Sequence, residues 1–190
     1  MENVDYSLFM HDDSEGDYGK EAMLDYQMSW VMRVPTNDEI KTNNPVLYTR
    51  CLSLLKKLIG KKNSESIDVE SVRVWKQWKR IDVIAEVKIR CNGNIEKHVV
   101  IIEDKAYTMI HDDQLNRYER TVSDEYDGTD FIRHYWVITF FSHCEDGYKI
   151  MKSMCEESKE KWNLLSYDDV FEDYTPTGSE HFDDFWINKW

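Results

Sequence analysis

No apolar run in this chain approaches the roughly 18 residues that a membrane helix needs. The opening residues, MENVDYSLFM, lack a basic segment followed by an apolar one, so neither a secretory signal nor a transit peptide is expected. Cys51, Cys91, Cys144 and Cys155 are scattered, with no CxxC pair and no Cys/His spacing suited to zinc. Free thiols in a reducing cytoplasm are the expectation. The chain also has no Gly-rich phosphate loop, no G-x-S-x-G elbow, no internal repeat and no low-complexity tract.

Positive charge is scarce as well. The net charge is −13, which at face value argues against a nucleic-acid partner. Its distribution says something different. Residues 50–105 hold 13 Lys and Arg against 8 Asp and Glu, so the negative excess lies towards both ends of the chain. The cations concerned are Lys56, Lys57, Lys61, Lys62, Arg73, Lys76, Lys79, Arg80, Lys88 and Arg90. Lys56 to Lys62 also fit a solvated helix end, where cations suit the macrodipole.

What is present is enough for a packed core. Hydrophobic residues make up 41% and aromatics 13% of 190 residues, which suits one domain. Residues 1–16 are acidic and expected to be poorly ordered, and 17–190 to form the domain. Ala22, Met23, Tyr26, Trp30 and Val34 recur at helical spacing, predicting a helix from about Tyr18 to Arg33. Thr36 to Asn44 reads as a loop. Asn44 and Pro45 suit a helix start, Leu47, Cys51, Leu54, Leu55 and Leu58 its apolar face, and Gly60 its stop.

The period then changes to two. Ile67, Val69, Val72 and Val74 predict a strand, with the alternation imperfect near Ser71. From Arg80 the alternation is clean, with Ile81, Val83, Ala85, Val87 and Ile89 on one face. Asp82, Ile84, Glu86, Lys88 and Arg90 take the other. Asn92-Gly93 is a hairpin signal that joins this strand antiparallel to the next, about Glu96 to Lys105. A helix from about Asp112 to Ser123 follows, capped by Asp112 or Asp113, and then a turn at Asp124 to Asp130. Arg133 to Phe141 is a further strand. A helix from Gly147 to about Lys161, a short strand at Leu164 and Leu165, and helical pieces complete the pattern. This order implies an α/β fold with a mixed sheet between helices.

The chemistry concentrates at one strand end. The apolar run Val99 to Ile102 stops at Glu103, Asp104 and Lys105. Glu103 and Lys105 share a face, and Asp104 takes the other. If Asp82 shares the Glu103 face, two carboxylates and an ammonium converge. Carboxylates brought close repel, and a hard divalent cation removes the conflict. A nearby Lys would then orient water or stabilise charge on phosphate, as metal-assisted phosphodiester hydrolysis requires. An ion pair on a wet sheet rim fits the same spacing. His111 fits a proton-transfer role or simply a place at the start of the helix. His98 reads as a surface residue of the hairpin. Trp75 and Trp78 lie among cations, where aromatics stack bases or join the core. Phe182, Phe185, Trp186 and Trp190 form an apolar stripe that reads as an intramolecular clamp, or as a dimer face if left open.

Arg-Ile-Asp at 80–82, Ile-Glu-Asp-Lys at 102–105 and Gln114-Leu115-Asn116-Arg117-Tyr118 together resemble the PD-(D/E)XK nuclease superfamily, with its restriction-endonuclease-like fold. The resemblance implies a mixed β-sheet flanked by helices on both faces, core order α-β-β-β-α-β, over about residues 18–142. Residues 143–190 would be an α-rich C-terminal extension. It implies Asp82 and Glu103 as ligands of Mg²⁺ or Mn²⁺, Lys105 as the catalytic lysine and Gln114 as a supporting catalytic residue. Glu21 resembles a first-helix metal ligand, and equally an exposed acid in a first turn. Nucleic acid, DNA before RNA, is the implied partner, contacted by Lys76, Lys79, Arg80 and Tyr118. A homodimer or protein partner stays open. The rival reading keeps the fold without catalysis, as a binding or assembly module in defence against foreign DNA.

Overall fold

The computed structural model describes residues 20–111 and 113–187 of the chain. The acidic segment 1–16, Asp112 and Trp190 lie outside those residues. Helix α1 is Lys20–Arg33 and leads through a 3₁₀ turn, Val34–Thr36, into α2, Asp38–Asn43. Helix α3 is Pro45–Leu58. Three strands follow: β1, Ile67–Trp78; β2, Ile81–Cys91; and β3, Asn94–Lys105. Then come α4, Gln114–Glu125; β4, Phe131–Thr139; α5, Asp146–Glu157; and β5, Asn163–Ser166. The tail ends in a 3₁₀ turn, Tyr167–Asp169, the single turn α6, Glu180–Phe182, and a π-helical turn, Asp183–Ile187.

The strands lie in the order β1-β2-β3-β4-β5. The first three are antiparallel neighbours, and β3-β4 and β4-β5 are parallel. Local chemistry explains this. Asn92 and Gly93 take φ 50° and 83°, the left-handed pair of a two-residue hairpin turn. The longer segment holding α4 permits the parallel crossover from β3 to β4. A register shift between Val69 and Ser71 accounts for the broken alternation in β1.

Two cores sandwich the sheet. On one side α1, α3 and the tail pack Leu24, Met28, Leu55, Leu58, Phe182, Phe185 and Trp186 against Val83, Ala85, Val100 and Ile102. On the other, Leu115, Tyr118 and Val122 of α4 and Met151 of α5 cover Ile84, Val99, Ile101 and Val137. Strand β3 is therefore apolar on both faces, and each of its enclosed aliphatic side chains contributes roughly 1.5–3 kcal/mol.

Several expectations are corrected. The core face of α1 is Leu24, Met28, Val31 and Met32, while Tyr26 is 63% exposed with Lys76 over its ring. Residues 38–43 are helical, because the Asn37 side chain accepts from Ile40 N and starts a turn. Asp113 sits at the start of α4 in a left-handed conformation with no capping bond, its carboxylate held by Arg120 instead. The aromatic residues Phe182, Phe185 and Trp186 are fully buried inside the molecule, so they offer no dimer face. His98 is buried, not on the surface, with its ring 3.0 Å from His134. No helix among the described residues is long and apolar enough to cross a membrane.

Candidate active site

The site forms where two strands separate. The β2–β3 ladder runs from Cys91↔Asn94 to Val83↔Ile102 and then stops. Beyond it the alternation of β2 breaks as well, since Ile81 packs in the α4-side core and Val83 in the α1-side core. Asp82 falls at that break. Its Oδ2 accepts the Asp104 backbone N–H at 2.9 Å, replacing the lost ladder partner.

Strand alternation puts Glu103 and Lys105 on the α4 side, with Val99 and Ile101. Glu103 is fully buried and Lys105 is 6% exposed. Lys105 Nζ lies 2.5 Å from Glu103 Oε1. Gln114 Nε2 donates to the same oxygen, and also to the Tyr118 hydroxyl at 2.9 Å. That hydroxyl donates to the Arg80 carbonyl. The Gln114 carbonyl oxygen accepts His111 N–H at 3.2 Å, which fixes the amide's orientation. Helix α4 thus delivers Gln114 and Tyr118, one turn apart, to the end of β3.

Glu103 Oε1 is therefore crowded with donors, while Oε2 is buried and has no hydrogen-bond partner. Burial and the charge of Asp82 push the Glu103 carboxyl up to about 8, against the pull of Lys105. Burial lowers Lys105, but Glu103, Asp82 and Glu21 outweigh it and hold the ammonium above its usual range. One ammonium faces three carboxylates, an imbalance that a cation relieves.

On the reverse face of β3, Asp104 is 1% exposed and points at Asp25 of α1. The two carboxyls lie within hydrogen-bonding reach. Burial raises Asp25 to about 6 and Asp104 well above the carboxylate range. Gln77 Nε2 spans Asp25 Oδ2 and Asp82 Oδ1, at 3.0 Å from each. Neither Asp25 nor Gln77 was expected from the sequence. Asp25 sits in an acid-containing helix without a distinguishing neighbour, and Gln77 lies beyond the predicted end of its strand.

Asp82, Glu103, Lys105, Gln114 and Tyr118 are brought together. Glu21 lies at the border. Its Oε1 accepts Ala106 N at 3.1 Å and Thr108 Oγ1 at 2.5 Å, which anchors the segment after β3. Among the described residues, no three Asp, Glu, His or Cys side chains form a ready-made metal cage. Two carboxylates do suit Mg²⁺, which takes one or two of them and keeps several waters. The bare Glu103 Oε2 is an acceptor that such an ion would satisfy.

The expected nucleic-acid contacts fare unevenly. Tyr118 is 2% exposed and bonded at its hydroxyl, so its ring has no open face for a base. Lys79 is paired with Glu125 at 2.6 Å, and Lys76 covers Tyr26. Much of the basic excess is spent internally, in Arg73–Glu86, Lys88–Glu70, Arg90–Glu70 and Lys61–Glu96 pairs. Arg80 is exposed beside the site.

No curated protein and no solved structure matches the chain. A family model does, over residues 6–184, nearly the whole length. It covers the strand end with Glu103 and Lys105, the Asp82 break and the α4 residues that meet there. By this match and by its mixed sheet, the chain belongs to the PD-(D/E)XK nuclease superfamily.

Proposed function

We propose that this protein is a Mg²⁺- or Mn²⁺-dependent nuclease that hydrolyses phosphodiester bonds, with DNA the expected substrate. The observation carrying the proposal is the buried, unpartnered Glu103 Oε2 beside Asp82, backed by Lys105. Asp82 and Glu103 would hold the ion, and Glu21 stands near enough to act on Lys105 by its charge. A bound divalent ion polarises the phosphate and lowers the pKa of water. Lys105 orients the attacking water and counters negative charge developing on phosphate. Gln114 keeps Glu103 Oε1 occupied and so leaves Oε2 facing the site. Arg80 is exposed beside the site to meet the nucleic-acid backbone, while Lys76 and Lys79 hold their contacts with Tyr26 and Glu125. Purified protein should cut DNA or RNA when Mg²⁺ or Mn²⁺ is added, and Lys105→Ala should lose at least about a hundredfold in rate. Equal rates for the two proteins, or no cleavage of any nucleic acid by wild type, rejects this reading.

The rival reading is a fold kept for binding or assembly. The ion pairs that take up Lys61, Arg73, Lys79, Lys88 and Arg90 favour it, since they weaken the electrostatic footprint for nucleic acid. Absence of Mn²⁺ binding by calorimetry would support the rival.

A further inference from the structure

Gln77 occupies an unusual backbone position for its residue type. Its φ is 53°, in the left-handed region that a residue with a Cβ reaches only at a cost. Its neighbours show what this does. Trp75 and Trp78 both pack on the α4-side core, while Lys76 lies over Tyr26 of α1. Strict alternation would put Gln77 on the α4 side with Trp75. The left-handed turn of the chain swings it to the α1 side instead, where its amide reaches Asp25. Strand β1 therefore accepts a strained residue two positions before the Lys79-Arg80 turn, whose own φ values are 50° and 74°.

The placement gives one amide nitrogen two carboxylates. Gln77 Nε2 donates to Asp82 Oδ1 and Asp25 Oδ2, each at 3.0 Å. The other Asp82 oxygen is fixed by Asp104 N–H at 2.9 Å. Both oxygens of Asp82 are thus aimed, and each keeps a lone pair free. The amide thus bridges two carboxylates that come from different elements, Asp25 of α1 and Asp82 of β2. A glutamine supplies this donation without adding charge, which neither an acid nor a lysine does.

We infer that Gln77 is a positioning residue for metal binding: its side chain fixes the Asp82 carboxylate by bridging it to Asp25. This rests on the proposed role of Asp82 as a ligand. Outer partners of metal ligands commonly govern affinity by ten- to a hundredfold.

The test uses Mn²⁺ alone, titrated calorimetrically into the full chain, with thermal melting of each protein in EDTA. Gln77→Gly removes the amide and relieves the backbone. Gln77→Asn tolerates the left-handed conformation but is one methylene too short to span both carboxylates. We expect each variant to melt at or above the wild-type temperature while its Mn²⁺ dissociation constant rises at least about tenfold. A merely structural Gln77 would give the opposite pattern, a melting temperature below wild type with unaltered affinity. Wild-type affinity in both variants, with binding lost in Asp82→Ala, overturns the inference and leaves the ligand role of Asp82 intact. Wild-type affinity in Asp82→Ala overturns the ligand role itself, and with it the inference.

Discussion

Asp82 Oδ2 accepts the backbone N–H of Asp104 at 2.9 Å, across the gap where the β2–β3 ladder has stopped. A side chain thus takes the place of a missing backbone carbonyl. The bond aims the Asp82 carboxylate at the strand that carries Glu103 and Lys105.

This double duty separates two substitutions. Asp82→Asn keeps an acceptor oxygen and relieves the repulsion on Glu103, so its stability should stay within about 1 kcal/mol of wild type. Asp82→Ala leaves the Asp104 N–H without its acceptor and should fall below the Asn variant by about 1–3 kcal/mol. Both should bind Mn²⁺ at least about tenfold more weakly than wild type. Urea denaturation and calorimetry measure the two effects. An Asn variant that binds Mn²⁺ like wild type would remove Asp82 from the ligand set.

Gln114 joins three elements, through His111 N, Glu103 Oε1 and the Tyr118 hydroxyl. Gln114→Ala removes all three bonds, leaving Glu103 Oε1 with Lys105 alone and the Tyr118 hydroxyl with the Arg80 carbonyl alone. A stability loss of about 2 kcal/mol or more is expected in urea, with a metal-dependent cleavage rate at least about tenfold lower. A variant as stable as wild type would show that this network is not formed in solution.

Tyr118→Phe tests a position where sequence and structure part. As a base-stacking residue, Tyr118 would keep its ring contact and change little; as a stacking residue cut to Ala it would lose affinity. As a buried link between Gln114 and the Arg80 carbonyl, it should lose about 1 kcal/mol of stability on removal of the hydroxyl alone. Its affinity for nucleic acid should stay within about twofold.

How much was legible depended on whether side-chain periodicity held. The Asn92-Gly93 turn needs two left-handed residues and advertises them, so the β2–β3 hairpin could be read directly. The two-residue period of β3 separated Glu103 and Lys105 from Asp104. Gln77 was illegible because the period breaks at a residue that seldom adopts its conformation, and no composition rule marks such a break. His98 was misread because Glu96 and Lys97 beside it look like surface, whereas Lys61 and Glu96 close over the ring from outside. The basic excess in residues 50–105 misled for a related reason. Sequence counts charges, and only the fold shows which ones are paired.

The His98–His134 pair predicts a pH dependence. Burial lowers His98, and burial with the His98 charge lowers His134 to about 4. A histidine depressed on folding binds more protons unfolded than folded. Its stabilisation is complete above about pH 6.5 and is lost as pH falls towards 4. The loss should be on the order of 2 kcal/mol, allowing for screening. Denaturation curves from pH 7 to 4.5 measure it, and His134→Gln should flatten the slope. An unchanged slope in that variant would assign the acid sensitivity to other groups.

In the proposed nuclease, Asp82 and the free oxygen of Glu103 share a divalent ion. Anomalous diffraction from a crystal soaked in Mn²⁺ tests it most directly. An anomalous peak is expected within about 2.3 Å of an Asp82 oxygen and of Glu103 Oε2, with waters completing the shell. A peak elsewhere, or none with Glu103 Oε2 still bare, would contradict it.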